Sequence, residues 1–250
     1  MLADMNALTL AILGVAALVT ATISAFLGMG GGMVLLAIMA LLLPAQMVVP
    51  IHGVVQMASN GTRTLIFLRH VRWRVFAAYV PLATVGLIVA TSVWSGDKLS
   101  WFKPGIGLFI LAFLIYRRYS PKLRNPPLWI YAPLGLVVGF LAIFVGATGP
   151  FLAPFFLRDD FKKENVIATK AVCQMWLHLA KIPAFLTLGF DYATHWSLLA
   201  GLVAAVMVGT FVGKRLLGKM SERFFTLLFQ GVLTVIAIVL IVNGLGEWFA

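Results

Sequence analysis

The chain is predicted to be an all-α polytopic membrane protein built as two inverted-topology repeats. Three observations carry that expectation. Hydrophobic residues make up 62% of the 250 residues and charged ones 11%, with a mean hydropathy of +1.01. Apolar runs of about membrane-spanning length recur from end to end. A single register shift of 118 residues superposes the polar landmarks of one half on those of the other. A soluble domain is only about half apolar, so lipid is the solvent this composition fits.

The apolar runs lie at 8–27, 33–43, 51–69, 74–94 and 104–116, then at 129–145, 151–157, 165–188, 196–213 and 224–243, five helical segments per half. The second run of each half is too short for a straight span. Each follows a glycine-rich break, Gly28-Met29-Gly30-Gly31-Gly32 and Gly146-Ala147-Thr148-Gly149-Pro150, so short half-helices or re-entrant segments are expected there. The first repeat is drawn at 1–119 and the second at 129–250. Between them lies a linker, 120–128, with Pro121, Lys122, Arg124, Pro126 and Pro127, next to Arg117 and Arg118.

Superposition is gap-free. Gly28 falls on Gly146 and Gln56 on Gln174, and Met57/Met175, Phe67/Phe185 and Leu68/Leu186 follow in register, the mark of a duplication. The net charge of +11 is explained by topology and calls for no nucleic acid. Its Lys and Arg gather in short loops, at Arg69 to Arg74, Arg117 to Arg124 and Lys214 to Arg223, and are absent from 189–195. Those basic loops are assigned to the cytoplasm, which puts corresponding loops of the two halves on opposite sides and both termini outside. An odd number of crossings per half demands the same inversion.

Other residues bound the function. Cys173, the only cysteine, lies in an apolar segment, which excludes a disulfide framework and a thiolate metal cluster; no cofactor is expected. Asp159-Asp160 beside Arg158, Lys162 and Lys163 reads as a solvated loop. Trp73, Trp94, Trp101, Trp129 and Trp196 flank apolar runs as interface anchors. Met1 to Asn6 lack the positive region of a signal peptide, so the first run is expected to stay as a helix, in a bacterial inner membrane.

The chemistry is expected on a duplicated polar stripe. His52, Gln56, Asn60 and Arg63 step by four, four and three and so share one helix face. The offset of 118 places Lys170, Gln174, His178 and Lys181 on the second copy. Buried polar and ionisable groups in hydrocarbon need partners or water, and an inverted repeat brings the two stripes together at mid-depth. The competing reading lets Arg63, Lys181, Lys170 and His52 snorkel from near the helix ends. All eight acidic residues fall in loops or at segment ends, so an interior of Arg, Lys, His and amides suits an anion. Half-helices starting at Gly32 and Pro150 would add backbone N–H groups and a positive dipole end, with Gly30, Gly31, Gly32, Thr148 and Gly149 among the binding residues. His52 and His178, which titrate near neutrality, are the candidates for coupling protons to transport. A passive anion channel would use the same groups. A membrane-embedded enzyme would use the His, Lys and Arg but would also need a carboxylate.

The breaks, the run His52-Gly53-Val54-Val55-Gln56-Met57-Ala58-Ser59-Asn60 and the run Ala168-Thr169-Lys170-Ala171-Val172-Cys173-Gln174 resemble the TauE/SafE sulfite-exporter family, also called the toluene-sulfonate uptake permease family. The resemblance covers essentially the whole chain. It implies proton-coupled export, or in some members uptake, of sulfite, organosulfonates and similar small anions across the cytoplasmic membrane. Thr148 and Pro150 stand where many members carry glycine, so the two breaks need not be equivalent. The resemblance assigns no residue roles. The oligomeric state is left open between monomer and homodimer.

Overall fold

The computed structural model describes residues 7–28, 30–94, 102–119, 125–156, 158–216 and 222–249. Met29, Asp4, Asp97, Trp101, Lys219 and the Pro121 to Arg124 part of the linker, on which expectations above partly rest, lie outside the described residues. Among the described residues there are ten α-helices and no strand. They are α1 (Ala7–Leu27), α2 (Gly31–Leu42), α3 (Ala45–Ile66), α4 (Trp73–Val93), α5 (Phe102–Tyr119), α6 (Tyr131–Val145), α7 (Gly149–Phe156), α8 (Lys163–Thr187), α9 (Trp196–Leu216) and α10 (Glu222–Phe249). The protein is an all-α polytopic membrane protein.

Each expected run became one helix. The largest boundary differences are at α3, which begins at Ala45 where the apolar pattern starts at 51, and at α10, which ends at Phe249 where the pattern ends at 243. Gln46 and Pro50 interrupt the hydropathy but not the helix. Pro44 caps it with a residue already extended (ψ 140°), and Pro50, in the second turn, withholds an N–H from the Gln46 carbonyl without ending the helix. At the start of α8, the Asn165 side-chain oxygen accepts the Lys162 backbone N–H at 3.1 Å, and Glu164 sits in the first turn, where a negative charge meets the helix dipole favourably.

Close approaches at glycine fix the directions of the helices. Gly209 and Gly213 on α9 lie against the backbone of Leu18 and Thr22 on α1, so α1 and α9 run parallel. Gly135 and Gly139 on α6 lie against Tyr79 and Ala83 on α4, and that pair is parallel too. Gly53 faces Lys181 while Gly61 faces Met175, and Gly107 meets Ala237 while Gly244 meets Pro104. Hence α3 runs antiparallel to α8, and α5 to α10. Both parallel pairs use two glycines four residues apart, the small-residue spacing that lets helix backbones touch without a hydrophobic driving force.

The main helix contacts correspond when the halves are exchanged. The α1/α9 contact becomes α6/α4, the α3/α9 contact becomes α8/α4, and α3/α8 and α5/α10 map onto themselves. The spans long and apolar enough to cross a membrane are Ala7–Ala25, Trp73–Val93, Leu128–Val145 and Ala193–Leu216, which are the members of the two parallel pairs. They show lipid the outward Val15, Ile88, Val137 and Phe211 and enclose the central α3/α8 pair. At 22 and 25 residues those two are long enough to span, but they carry the polar stripes. Trp73, Trp129 and Trp196 are exposed at helix starts, as anchors are.

The ends are tied across halves. The Asn165 side-chain amide donates to the His70 carbonyl at 2.8 Å and the Arg72 N–H to the Thr169 hydroxyl at 3.0 Å, joining the α3–α4 turn to the start of α8. Arg158 pairs with Asp160 at 2.7 Å and also donates to the Pro126 carbonyl; that guanidinium holds the Asp160 carboxyl below the usual range. Within the bundle, the Trp176 indole N–H donates to the Thr84 hydroxyl at 2.9 Å. Thr84→Val is expected to lower stability by only about 0.6 kcal/mol, the usual worth of such a bond between membrane helices, read as a small drop in melting temperature in detergent.

Candidate functional site

The two breaks are built alike. Gly28 (φ 74°) donates its N–H to the Ser24 carbonyl at 2.9 Å, and Gly146 (φ 80°) to that of Ala142 at 3.2 Å. Each closes its helix in the left-handed conformation that glycine adopts without strain. A β-carbon on Gly28 would stand 3.0 Å from Ile167, and one on Gly146 3.4 Å from Val49. Ile167 and Val49 are themselves 118 residues apart. A few residues further on, Gly32 lies against Gln56 and Gly149 against Gln174. Within each break the chain therefore passes from one end of the α3/α8 pair to its middle. There it starts a half-helix of 12 residues (α2) or 8 (α7).

A small cavity of about 30 Å³ opens where the half-helices meet the stripes. Of the predicted residues, Gly30, Gly32, His52, Gln56, Asn60, Arg63, Gly149, Lys170, Gln174 and His178 line it. No lining residue is acidic. Arg63 and Lys170 are each 3% exposed, so neither snorkels. Arg63 donates from Nη2 to the Ser59 hydroxyl at 3.1 Å, and its Nε has no partner among the described residues. Asn60 donates to the Gln56 carbonyl one turn back at 2.8 Å, which stiffens the stripe.

The two histidines meet, with ring centroids 5.8 Å apart and edge to face. His52 Nε2 lies 2.8 Å from the Gly32 carbonyl. A carbonyl only accepts, so Nε2 carries the proton, and Nδ1 is left as an acceptor when the ring is neutral. Neither His52 Nδ1 nor His178 Nδ1 has a hydrogen-bond partner among the described residues. A buried nitrogen of this kind is a place for an ordered water.

Three predicted residues stand behind the cavity rather than in its wall. Lys181, 1% exposed, donates from Nζ to the Gly146 carbonyl at 2.7 Å. Thr148 accepts from the Gln174 side-chain amide at 3.4 Å. Gly31 packs against the Thr20 carbonyl and the Ser24 hydroxyl. Four lining residues were not anticipated: Gly28 and Ala147, which lie within the breaks, and Ser24 and Met33. Thr20 and Ser24, four apart on α1, were a readable polar pair. Position 142, the counterpart of Ser24, is alanine, so superposing the halves could not single it out.

A protein-family model described as Sulfite exporter TauE/SafE matches residues 13–240, a range that holds both breaks and both stripes. No curated protein and no solved structure matches the chain.

Proposed function

Because the chain belongs to the sulfite exporter TauE/SafE family, we propose that it is a secondary transporter exporting sulfite or organosulfonate-type anions from a bacterial cytoplasm, coupled to protons. The carrying observation is that Arg63 and Lys170 line one cavity whose wall holds no acidic residue. Two like charges in a low-dielectric space repel, and a small anion between them turns repulsion into attraction. Gln56, Gln174 and the first N–H groups of α2 and α7 supply neutral donors around it. His52 and His178 carry the proton.

The two halves act as inverted repeats. A two-fold axis that exchanges antiparallel helices, as α3/α8 and α5/α10 are, lies across the helices and hence in the membrane plane. Among the described residues, the directions of the helices put eleven Lys or Arg at one end, at Arg69 to Arg74, Arg117 and Arg118, Arg158 to Lys163, Lys214, Arg215 and Arg223, against Lys103 at the other. The richer end is cytoplasmic. Alternating access then consists of one half adopting the conformation the other holds.

Counterflow tests this reading. Proteoliposomes preloaded with unlabelled sulfite are expected to take up labelled sulfite several-fold faster than empty ones, more so with an inward-acid pH gradient. Uptake indifferent to preloading, together with single-channel currents, would make the protein a channel instead.

A further inference from the structure

The site departs from symmetry at one place. Arg63 and Lys181 occupy equivalent positions, as do Gly28 and Gly146, and Ile167 and Val49. Lys181 nevertheless binds the Gly146 carbonyl and is buried behind the cavity. Among the described residues Arg63 bonds only within its own helix, to Ser59, and it lines the cavity together with Gly28. At the Lys181 end, Gly146 is closed down on Val49 and Leu36, and the cavity stops short. At the Arg63 end it reaches Gly28 and Lys170.

We infer that Lys181 and Arg63 are alternating latches: Lys181 on the Gly146 carbonyl holds the non-cytoplasmic side shut in the state described here, and in the opposite state Arg63 takes the Gly28 carbonyl while Lys181 turns into the cavity. This rests on the transporter reading and on the exchange of conformations between repeats. It gives Lys181 two tasks at different moments, positioning in one state and anion contact in the other. Each latch joins the cation of one central helix to the glycine turn preceding a half-helix of the same repeat, so opening a latch frees that half-helix to move. The carbonyl is a suitable catch because it belongs to the residue that caps its helix: with no following turn to donate an N–H to it, it needs another donor.

The test reads access rather than transport. In a Cys173→Ala background, Val49→Cys, beside the Gly146 latch, is exposed to a membrane-impermeant thiol reagent from the non-cytoplasmic side. With Lys181 present labelling is expected to be slow. With Lys181→Gln, whose amide is one bond shorter and falls short of the carbonyl, it is expected to be at least tenfold faster, and with Lys181→Arg, which keeps both reach and donor, slow again. Equal rates in the parent and Lys181→Gln would overturn the latch, as would equal acceleration in Gln and Arg. Should Lys181→Gln fail to reach the membrane, Lys181→Met takes its place. Loss of both makes the contact a folding requirement and also defeats the proposal. Labelling needs no substrate, so the two readings separate. The expected pattern without sulfite counterflow removes the transporter assignment, and counterflow with unchanged labelling removes only the latch.

Discussion

Gly31→Ala is expected to leave little folded protein in the membrane, while Gly14→Ala leaves the yield unchanged. The difference lies in what the new methyl group meets. At Gly31 it would stand 1.9 Å from the Thr20 carbonyl oxygen and 2.5 Å from the Ser24 hydroxyl. The nearer atom is backbone held in α1, so it cannot rotate away, and α2 would have to lift off the helix that positions it. Overpacking of this kind costs about 3 kcal/mol, a large part of the stability of a typical domain. At Gly14 nothing lies within 4 Å; that position faces open space, and alanine favours the helix by about 1 kcal/mol. Gly32→Ala separates folding from function, since its neighbour at 3.1 Å is the Gln56 side chain, which can move. That variant is expected to fold but to transport poorly, because Gln56 leaves its place over the start of α2. Size-exclusion profiles and melting temperatures in detergent, with sulfite counterflow for Gly32→Ala, rank the three. A Gly31→Ala protein as stable as the parent would mean that α2 does not seat on α1 at this point.

The contrast between these glycines shows what a sequence can and cannot disclose here. The gap-free offset of 118 residues was enough to find both breaks, both stripes and ten of the cavity's lining residues, because helical spacing and duplication are properties of the linear chain. The partner of Lys181 was not legible: Gly146 lies 35 residues away on another helix, and any backbone carbonyl looks alike in a sequence. Lys181 was therefore expected beside Arg63 as an equal, whereas the structure gives the two equivalent cations different neighbours. Ser24 escaped for the opposite reason, being a site residue without a duplicate. The glycine pairs of α6 and α9 were visible as spacings, but which helix each pair would touch depends on the three-dimensional arrangement.

Arg63→Ala and Lys170→Ala are each expected to reduce sulfite transport by about a hundredfold without unfolding the protein. Both cations line a cavity whose wall holds no acid, so each contributes a charge-assisted contact to the anion that the other cannot replace. Hydrogen bonds to charged groups contribute about 1.5–3 kcal/mol, and each 1.4 kcal/mol is a factor of ten in binding. The effect on the empty protein has the opposite tendency. Removing Arg63 loses the bond to Ser59 but also relieves the repulsion between two buried positive charges, so without anion its melting temperature is expected to stay near that of the parent. Sulfite should then raise the melting temperature of the parent, by binding only the folded state, and leave both variants where they were. Arg63→Lys, which restores the charge without the planar fork, is expected to recover part of the shift. A parent that melts at the same temperature with and without sulfite, sulfate and thiosulfate would mean that these anions do not bind the folded protein. A variant that melts early in the absence of any anion would mean that its cation is held by the protein's own groups and is not available to a substrate.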